Sequence, residues 1–172
     1  MSSSGLSENR DWIRTVLDQF EGQLTRYAQR ITGNLDTARE VVQETFLRLC
    51  RENPQQLDGH LAEWLFTVCR NRAIDVKRKE DRMATLSPEL LGHSPANGLA
   101  PPQDVQQRDE ASHILRLLEK LPDNQREVIQ LKFQSGLTYR EISSVTDLSI
   151  SNVGFLIHRG LKTIRQQLTP QD

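Results

Sequence analysis

A segment rich in proline and glycine, residues 83–104, constrains the fold of this chain more than any other feature. It has no apolar periodicity, and a structureless loop of this length is uncommon inside one compact domain. Its composition is typical of a flexible linker, with Pro88, Pro95, Pro101, Pro102, Gly92 and Gly98. In a chain of 172 residues such a linker, over 83–105, leaves room for two small domains, which we place at 10–82 and 106–169.

Apolar periodicity predicts that both domains are helical. In the first domain, one stripe repeats every three or four residues from Leu17 to Ile31, and two further stripes follow, at 38–49 and 61–76. Thr37 and Glu40 have the spacing of a capping box, with Asp36 as the alternative cap. Aromatic residues make up only 5% of the chain, which argues against a large β-sheet core. The predicted class is therefore all-α.

The end of the chain predicts a helix-turn-helix. A short helix from Thr138 to about Val145, a tight turn, and a longer helix from Ile150 to Leu168 have the lengths of this motif. Ser149 or Ser151 is expected to cap the longer helix. Its outer face carries groups suited to base edges and phosphates: Ser151, Asn152, Phe155, His158, Arg159 and Lys162. The alternative is an ordinary helical hairpin with a solvated basic face.

Two helices of the first domain have faces that could bind a partner. The segment from Trp64 to Lys79 combines aromatic, amide and cationic side chains, which suit single-stranded nucleic acid, although Trp64 and Phe66 could instead be core residues. The segment from Ala38 to Arg48 has a polar face beside an apolar stripe, and by itself it could be a plain amphipathic helix.

The distribution of charge is more informative than its sum, which is −1. Residues 1–82 are neutral, residues 83–111 carry −3, and residues 112–172 carry +2. Three basic residues and no acidic residue lie between Leu148 and Pro170. This favours a polyanionic partner for the last helix.

The sequence argues against an enzyme. Its four histidines are scattered, Cys50 and Cys69 form no CxxC pair, and no P-loop, GxGxxG or GxSxG motif occurs. We therefore expect no cofactor, no metal and no small-molecule substrate. The apolar runs are far shorter than the roughly 20 residues of a membrane span, and no secretory signal is visible, so we expect a cytoplasmic protein without membrane insertion.

Taken together, five segments in this order resemble an extracytoplasmic-function (ECF) sigma factor, a small bacterial initiation subunit of RNA polymerase. The segments are the helix end at Leu24–Gly33, Val42–Arg48, Trp64–Phe66 with Asn71–Asp75, Leu121–Arg126 and Gly136–Ile142. The resemblance implies two helical domains, called regions 2 and 4, that bind core RNA polymerase at its β′ clamp helices and β flap and also bind promoter DNA. It also implies an anti-sigma factor as a regulatory partner.

The resemblance assigns roles to residues. It implies that core polymerase is bound by Glu40, Gln43, Glu44, Phe46 and Arg48. It implies that the −10 promoter element is opened and bound by Trp64, Asn71, Arg72, Asp75, Lys77 and Arg78, with Asn71 and Asp75 near a flipped base. The −35 element would be bound as duplex by Thr138, Ser151, Asn152, Phe155, His158, Arg159 and Lys162, with backbone N–H groups at the start of the last helix and near Thr138 gripping phosphate.

One position departs from the family pattern. Sigma factors of this type often have Arg or Lys and Ser where this chain has Gly154 and Phe155. Contact with a thymine methyl or readout of DNA shape could replace direct hydrogen bonding there, or Phe155 could belong to the core.

Two other functions remain compatible with the sequence. A stand-alone helix-turn-helix regulator would bind a palindromic site as a symmetric dimer without polymerase. A sigma-like decoy would bind only an anti-sigma protein, but it would have no need of the basic residues Arg72, Lys77, Arg78 and Arg159.

Overall fold

The computed structural model describes residues 3–86 and 105–169, with the side chains of 5–86 and 109–169. The chain divides into two compact units, and the described ranges hold only helices: α1 Ser3–Thr32, α2 Leu35–Leu49, a short 3₁₀ helix Pro54–Gln56, α3 Leu61–Leu86, α4 Val105–Glu119, α5 Asp123–Phe133, α6 Tyr139–Thr146 and α7 Ile150–Leu168. The all-α prediction is confirmed. No helix in these ranges is long and apolar enough to cross a membrane.

The first unit is a three-helix bundle around a small aromatic and aliphatic core. Leu24 and Tyr27 of α1 and Leu65 and Phe66 of α3 are almost completely buried. The rings of Tyr27 and Phe66 meet edge to face, with centroids 5.3 Å apart, a geometry that adds to the gain from burial alone. Of the two alternatives for Phe66, the core position is confirmed.

The connection between α1 and α2 differs from the prediction. Gly33, with φ of +74°, ends α1, and Asn34 then caps α2 by accepting a hydrogen bond from the Thr37 N–H at 3.0 Å. The predicted capping box of Thr37 and Glu40 is therefore wrong, because Thr37 already lies in the first turn of α2. The extended backbone of Asn34 (φ −138°, ψ 130°) places its side-chain oxygen over that turn.

The end of the first unit also differs from expectation. Helix α3 continues to Leu86, four residues past the boundary that we placed at residue 82. Leu86 is 82% exposed, so the last turn of α3 contributes little to the core. Residues 87–104 of the expected linker lie outside the described residues.

The second unit contains the predicted helix-turn-helix, formed by α6 and α7. Thr138 and Glu141 form a capping box at the start of α6, Asp147 adopts the left-handed conformation (φ +59°) in the turn, and Ser149 caps α7 by accepting from the Asn152 N–H. Of the two predicted caps, the structure thus selects Ser149. Ser151 is left exposed in the first turn of α7.

Helix α7 packs against α5 at Gly160. A Cβ atom at this position would lie 2.5 Å from Cδ1 of Ile129 and 3.5 Å from atoms of Gln125 and Leu121. All three neighbours are buried. Glycine therefore allows α5 and α7 to approach more closely than a side chain would permit.

We predict that Gly160→Val destabilises the second unit by about 1–3 kcal/mol, the usual cost of overpacking a closed core. Amide hydrogen exchange measured by mass spectrometry should show faster exchange in α5 and α7 and unchanged exchange in the first unit. Gly154→Val is the matched control, because its nearest neighbour is the partly exposed Tyr139 ring at 3.5 Å. Equal protection in the two variants would contradict the packing argument.

The buried Cys69 gives a second prediction. Its thiol faces the Leu24 carbonyl of α1, 3.9 Å away. Burial raises the pKa of the thiol to about 12, and a hydrogen bond with Thr45 acts in the opposite direction. Cys50, at the end of α2, is exposed.

We expect Ellman's reagent at pH 8 to modify one thiol per folded chain rapidly and the second only after unfolding, because thiolate is the reactive form. In a Cys50→Ser variant the fast phase should vanish. The free energy of unfolding should fall above about pH 9, because the Cys69 thiol ionises there only in the unfolded chain. A Cys50→Ser protein that still reacts rapidly while folded would refute this placement.

Candidate nucleic-acid interface

Helix α7 has a buried face and an exposed face along its whole length. Val153, Leu156, Ile157, Gly160 and Ile164 are buried. The six residues predicted to face DNA on α7 are all exposed: Ser151, Asn152, Phe155, His158, Arg159 and Lys162. They recur at intervals of three or four residues, so they lie on one side of the helix.

Phe155 is not a core residue. Its side chain is 55% exposed, and the Arg159 guanidinium lies 5.8 Å from the centre of its ring. At the neighbouring Gly154, the Tyr139 ring of α6 lies 3.5 Å from the position that a Cβ would take. The Lys132 ammonium is 5.4 Å from the centre of that ring. The core alternative for Phe155 is therefore wrong.

Thr138 is exposed, but its backbone N–H is already occupied. This N–H donates to the Glu141 carboxylate at 2.7 Å, while the Thr138 hydroxyl oxygen accepts from the Glu141 N–H at 3.2 Å. The N–H of Thr138 itself is therefore not available to phosphate, while the predicted contact of phosphate with N–H groups near Thr138 stays a prediction. Only the hydroxyl proton of Thr138 remains as a donor for an anion.

Helix α3 presents a second face of polar and cationic side chains. Asn71, Asp75 and Arg78 are exposed, while Trp64 and Lys77 are half-buried, and Lys77 also pairs with Asp81 at 3.2 Å. The spacing of Trp64, Asn71, Asp75 and Arg78 by seven, four and three residues keeps them on one side of the helix. Toward the end of α3, a groove is lined by Arg72, Asp75, Arg78, Lys79, Asp81 and Arg82.

Helix α2 separates its predicted polymerase-binding residues into two groups. Glu40, Gln43 and Arg48 are exposed, but Phe46 is only 6% exposed and belongs to the core. This burial follows because an apolar stripe of α2 must face α1 and α3. Phe46 also lines a groove between α1 and α2, so its contact with polymerase stays a prediction. Leu47 is 59% exposed instead, and its spacing of four from Gln43 was the available sequence signal.

A groove of about 840 Å³ runs beside these exposed side chains of α2. Glu40, Gln43 and Leu47 line one side, and residues of α1, including Leu17 and Arg26, line the other. Its lining combines apolar residues, among them Val42 and Phe46, with charged residues such as Glu40 and Arg26, a mixture that is usual for a protein-binding surface.

Glu44 has partners within the first unit. Its carboxylate accepts from Arg72 Nε at 2.6 Å and pairs with Arg48 at 3.2 Å. The first contact joins α2 to α3 across 28 residues of sequence. The family resemblance implies polymerase binding for Glu44 and DNA binding for Arg72, but the contact between the two residues depends on how α2 packs against α3.

The comparisons with known proteins agree with this architecture. Residues 16–83 match the family model of sigma-70 region 2, and residues 113–164 match that of sigma-70, region 4. The chain is 32% identical to the ECF RNA polymerase sigma factor RpoE of Cereibacter sphaeroides, with 95% of this chain and 98% of the relative covered. It is 27% identical to the ECF RNA polymerase sigma factor SigW of Bacillus subtilis, with 93% and 90% covered.

Two solved structures share the fold. One is the sigma factor RpoE in complex with the anti-sigma factor NepR from Bartonella quintana, with a TM-score of 0.69, 23% identity, and 90% and 95% of the two chains covered. The other is CnrH in complex with the cytosolic domain of CnrY, with a TM-score of 0.60, 22% identity, and 94% and 90% covered.

Matches to both sigma-70 regions, one in each helical unit, define a sigma-type transcription initiation protein. The chain belongs to the ECF RNA polymerase sigma factors of the sigma-70 family.

Proposed function

We propose that this protein binds core RNA polymerase through α2, opens and holds the −10 element through α3, and binds the −35 element as duplex through α7. The supporting observation is that two separate units carry two different nucleic-acid faces. One face combines a half-buried tryptophan with an amide and cations, and the other is the second helix of a helix-turn-helix. A symmetric dimeric regulator would need only the second face.

The α7 face suits the major groove of duplex DNA. Asn152 and Arg159 can form hydrogen bonds with base edges, while Lys162 and the Ser151 hydroxyl suit phosphates. The outward side of α7 carries no acidic side chain between Ile150 and Leu168, so approach to a polyanion meets no local repulsion.

The α3 face suits single-stranded DNA. Half-buried Trp64 offers an aromatic ring for stacking, and Asn71 and Asp75 can read an unpaired base by hydrogen bonding. Arg78 and the groove at the end of α3 would follow the backbone of the same strand. Binding of the open strand offsets the few kcal/mol that unstacking a base costs.

The exposed side of α2 is the proposed polymerase surface, with Glu40, Gln43, Leu47 and Arg48 as its contacts. Buried Phe46 supports this surface from below. Glu44 has a different role in this proposal: it orients Arg72 of α3 from the polymerase-binding helix. This single hydrogen-bonded ion pair limits the orientation of Arg72 more than it adds stability, because both partners are partly exposed.

RNA synthesis itself belongs to the polymerase, and we assign this protein no catalytic role. As a polymerase subunit it would act in the cytoplasm. We also propose that an anti-sigma protein regulates it, since RpoE of Bartonella quintana was solved in complex with one. The groove between α1 and α2 is the surface that such a partner would cover to exclude polymerase. The β flap would be contacted by the second unit.

The direct test is run-off transcription with purified core polymerase, followed by mapping of start sites. We predict that Asn71→Ala and Arg159→Ala each lower promoter-specific transcription by about tenfold, because each removes a base contact of about 1–3 kcal/mol. Co-purification with polymerase should be unchanged. Gln56→Ala and Arg116→Ala, exposed positions outside both faces, serve as amide and charge controls. If both site variants start transcription like the wild type, the two site assignments fail.

The polymerase surface gives a separate prediction. Glu40→Lys should weaken association with core polymerase at least fivefold, since it reverses a charge on the exposed side of α2 and leaves the ion pairs of Glu44 with Arg48 and Arg72 intact. Asp58→Lys, an equal charge change on an exposed loop residue, is the control. Affinity can be measured by fluorescence anisotropy of a labelled protein titrated with core enzyme.

Glu44 distinguishes docking from positioning. Glu44→Lys should also weaken association, because it places a third cation beside Arg48 and Arg72. Glu44→Gln should leave association near the wild-type value and lower opening of the −10 element, detected by permanganate reactivity of thymines. Unchanged association of both Glu40→Lys and Glu44→Lys would refute the α2 surface.

A further inference from the structure

Phe155 is the one large apolar side chain at the centre of the α7 face that we assign to DNA. Its neighbours along this face, one turn before and after, are Ser151, Asn152, His158 and Arg159, all polar and exposed. The core side of α7 is already filled by a separate stripe of buried residues. Phe155 is therefore unnecessary for folding of the second unit and leaves a half-exposed ring facing solvent.

The ring has a defined surrounding. Arg159 lies one turn further along α7 with its guanidinium 5.8 Å from the ring centre, a distance at which a cation is attracted to the ring face. On the preceding side, Gly154 carries no side chain, and Tyr139 occupies the space above it. The Phe155 ring thus lies beside a cation, and residue 154 has no side chain that could reach the DNA in its place.

The major groove offers only one apolar group to such a ring. Each base pair presents hydrogen-bond donors and acceptors, and thymine alone adds a methyl group, at C5. A phenylalanine ring cannot form the hydrogen bonds of the other base edges, and placing it against them would leave those groups unsatisfied. An apolar side chain at this point therefore discriminates by the methyl group.

We propose that Phe155 is a specificity-determining residue that contacts the C5-methyl group of a thymine in the −35 element. This inference rests on the proposed binding of α7 to duplex DNA. Arg159, which lies beside the ring, then donates hydrogen bonds to the adjacent base or phosphate. One turn of α7 would thus contact a thymine methyl group and a neighbouring hydrogen-bond acceptor of the DNA. Readout through DNA shape alone would show no dependence on the methyl group.

The test uses the holoenzyme assembled from this protein and core polymerase. After the start site is mapped, each thymine of the −35 region is replaced in turn by deoxyuridine, which removes only the methyl group. We expect one replacement to lower run-off transcription about fourfold, the factor that corresponds to burial of one methyl-sized group. At that position, a template with 5-methylcytosine should give more run-off transcript than a template with cytosine, by a similar factor, because the two bases differ only in the C5-methyl group.

Phe155→Ser should transcribe less than wild type from the thymine template and show no difference between thymine and deoxyuridine. Phe133→Ser is the matched control, because Phe133 is 61% exposed on α5 and is not one of the α7 residues assigned to DNA; it should keep the wild-type ratio. Equal use of thymine and deoxyuridine at every −35 position by the wild type overturns the inference, as does a Phe155→Ser variant that keeps the ratio. If the wild-type holoenzyme gives no specific start at all, the proposed function fails, and this inference fails with it.

Discussion

Burial of one apolar stripe on each functional helix is the constraint on which the rest of this protein depends. In α7 the buried stripe from Val153 to Ile164 packs against α5 and α6. Because the helix has 3.6 residues per turn, Asn152, Arg159 and Lys162 must then point away from the core. In α3 the buried residues from Leu65 to Ala73 fix the direction of Asn71 and Asp75 in the same way. The direction of both proposed nucleic-acid faces therefore follows from core packing. The absence of a side chain at Gly160 determines how closely α7 packs against α5.

The contact between Glu44 and Arg72 adds a physical connection between the two tasks of the first unit. Glu44 lies on α2, the proposed polymerase-binding helix, and pairs with Arg72 in the middle of α3, the proposed DNA-binding helix. A surface ion pair of this kind is worth little in stability, about 0–1 kcal/mol. Its effect is geometric, because it limits the orientations of a flexible side chain near the groove at the end of α3. A partner that moved α2 or competed for Glu44 would release Arg72, so polymerase binding and strand capture need not be independent.

The sequence predicted the helices and the helix-turn-helix because the apolar stripes recur with helical spacing over long segments. It also predicted the α7 face, since Ser149 or Ser151 had to start the helix and the spacing then determined the outward side. It failed where the outcome depends on contacts between elements. The pair of Glu44 with Arg72 depends on where α3 lies beside α2. The cap at Asn34 was missed for a different reason, because it is a local contact with the Thr37 N–H and the capping-box spacing pointed to Thr37 instead. For Phe155 the pattern allowed both core and surface, and only the filled core stripe of α7 decides between them.

The roles of the two units require that neither binds promoter DNA tightly by itself. The chain as a whole is nearly neutral, and the segment 83–111 carries a charge of −3, so free DNA is not attracted over long range as it is to a strongly basic protein. When polymerase holds both units, binding of one promoter element raises the effective concentration of the other unit, and the two binding free energies combine with a much smaller entropic cost. Modest contacts, such as a single methyl group against Phe155, then discriminate between promoters without producing tight binding elsewhere. A chain with stronger individual contacts would lose this dependence on polymerase, because it would remain bound to DNA sites that polymerase does not use.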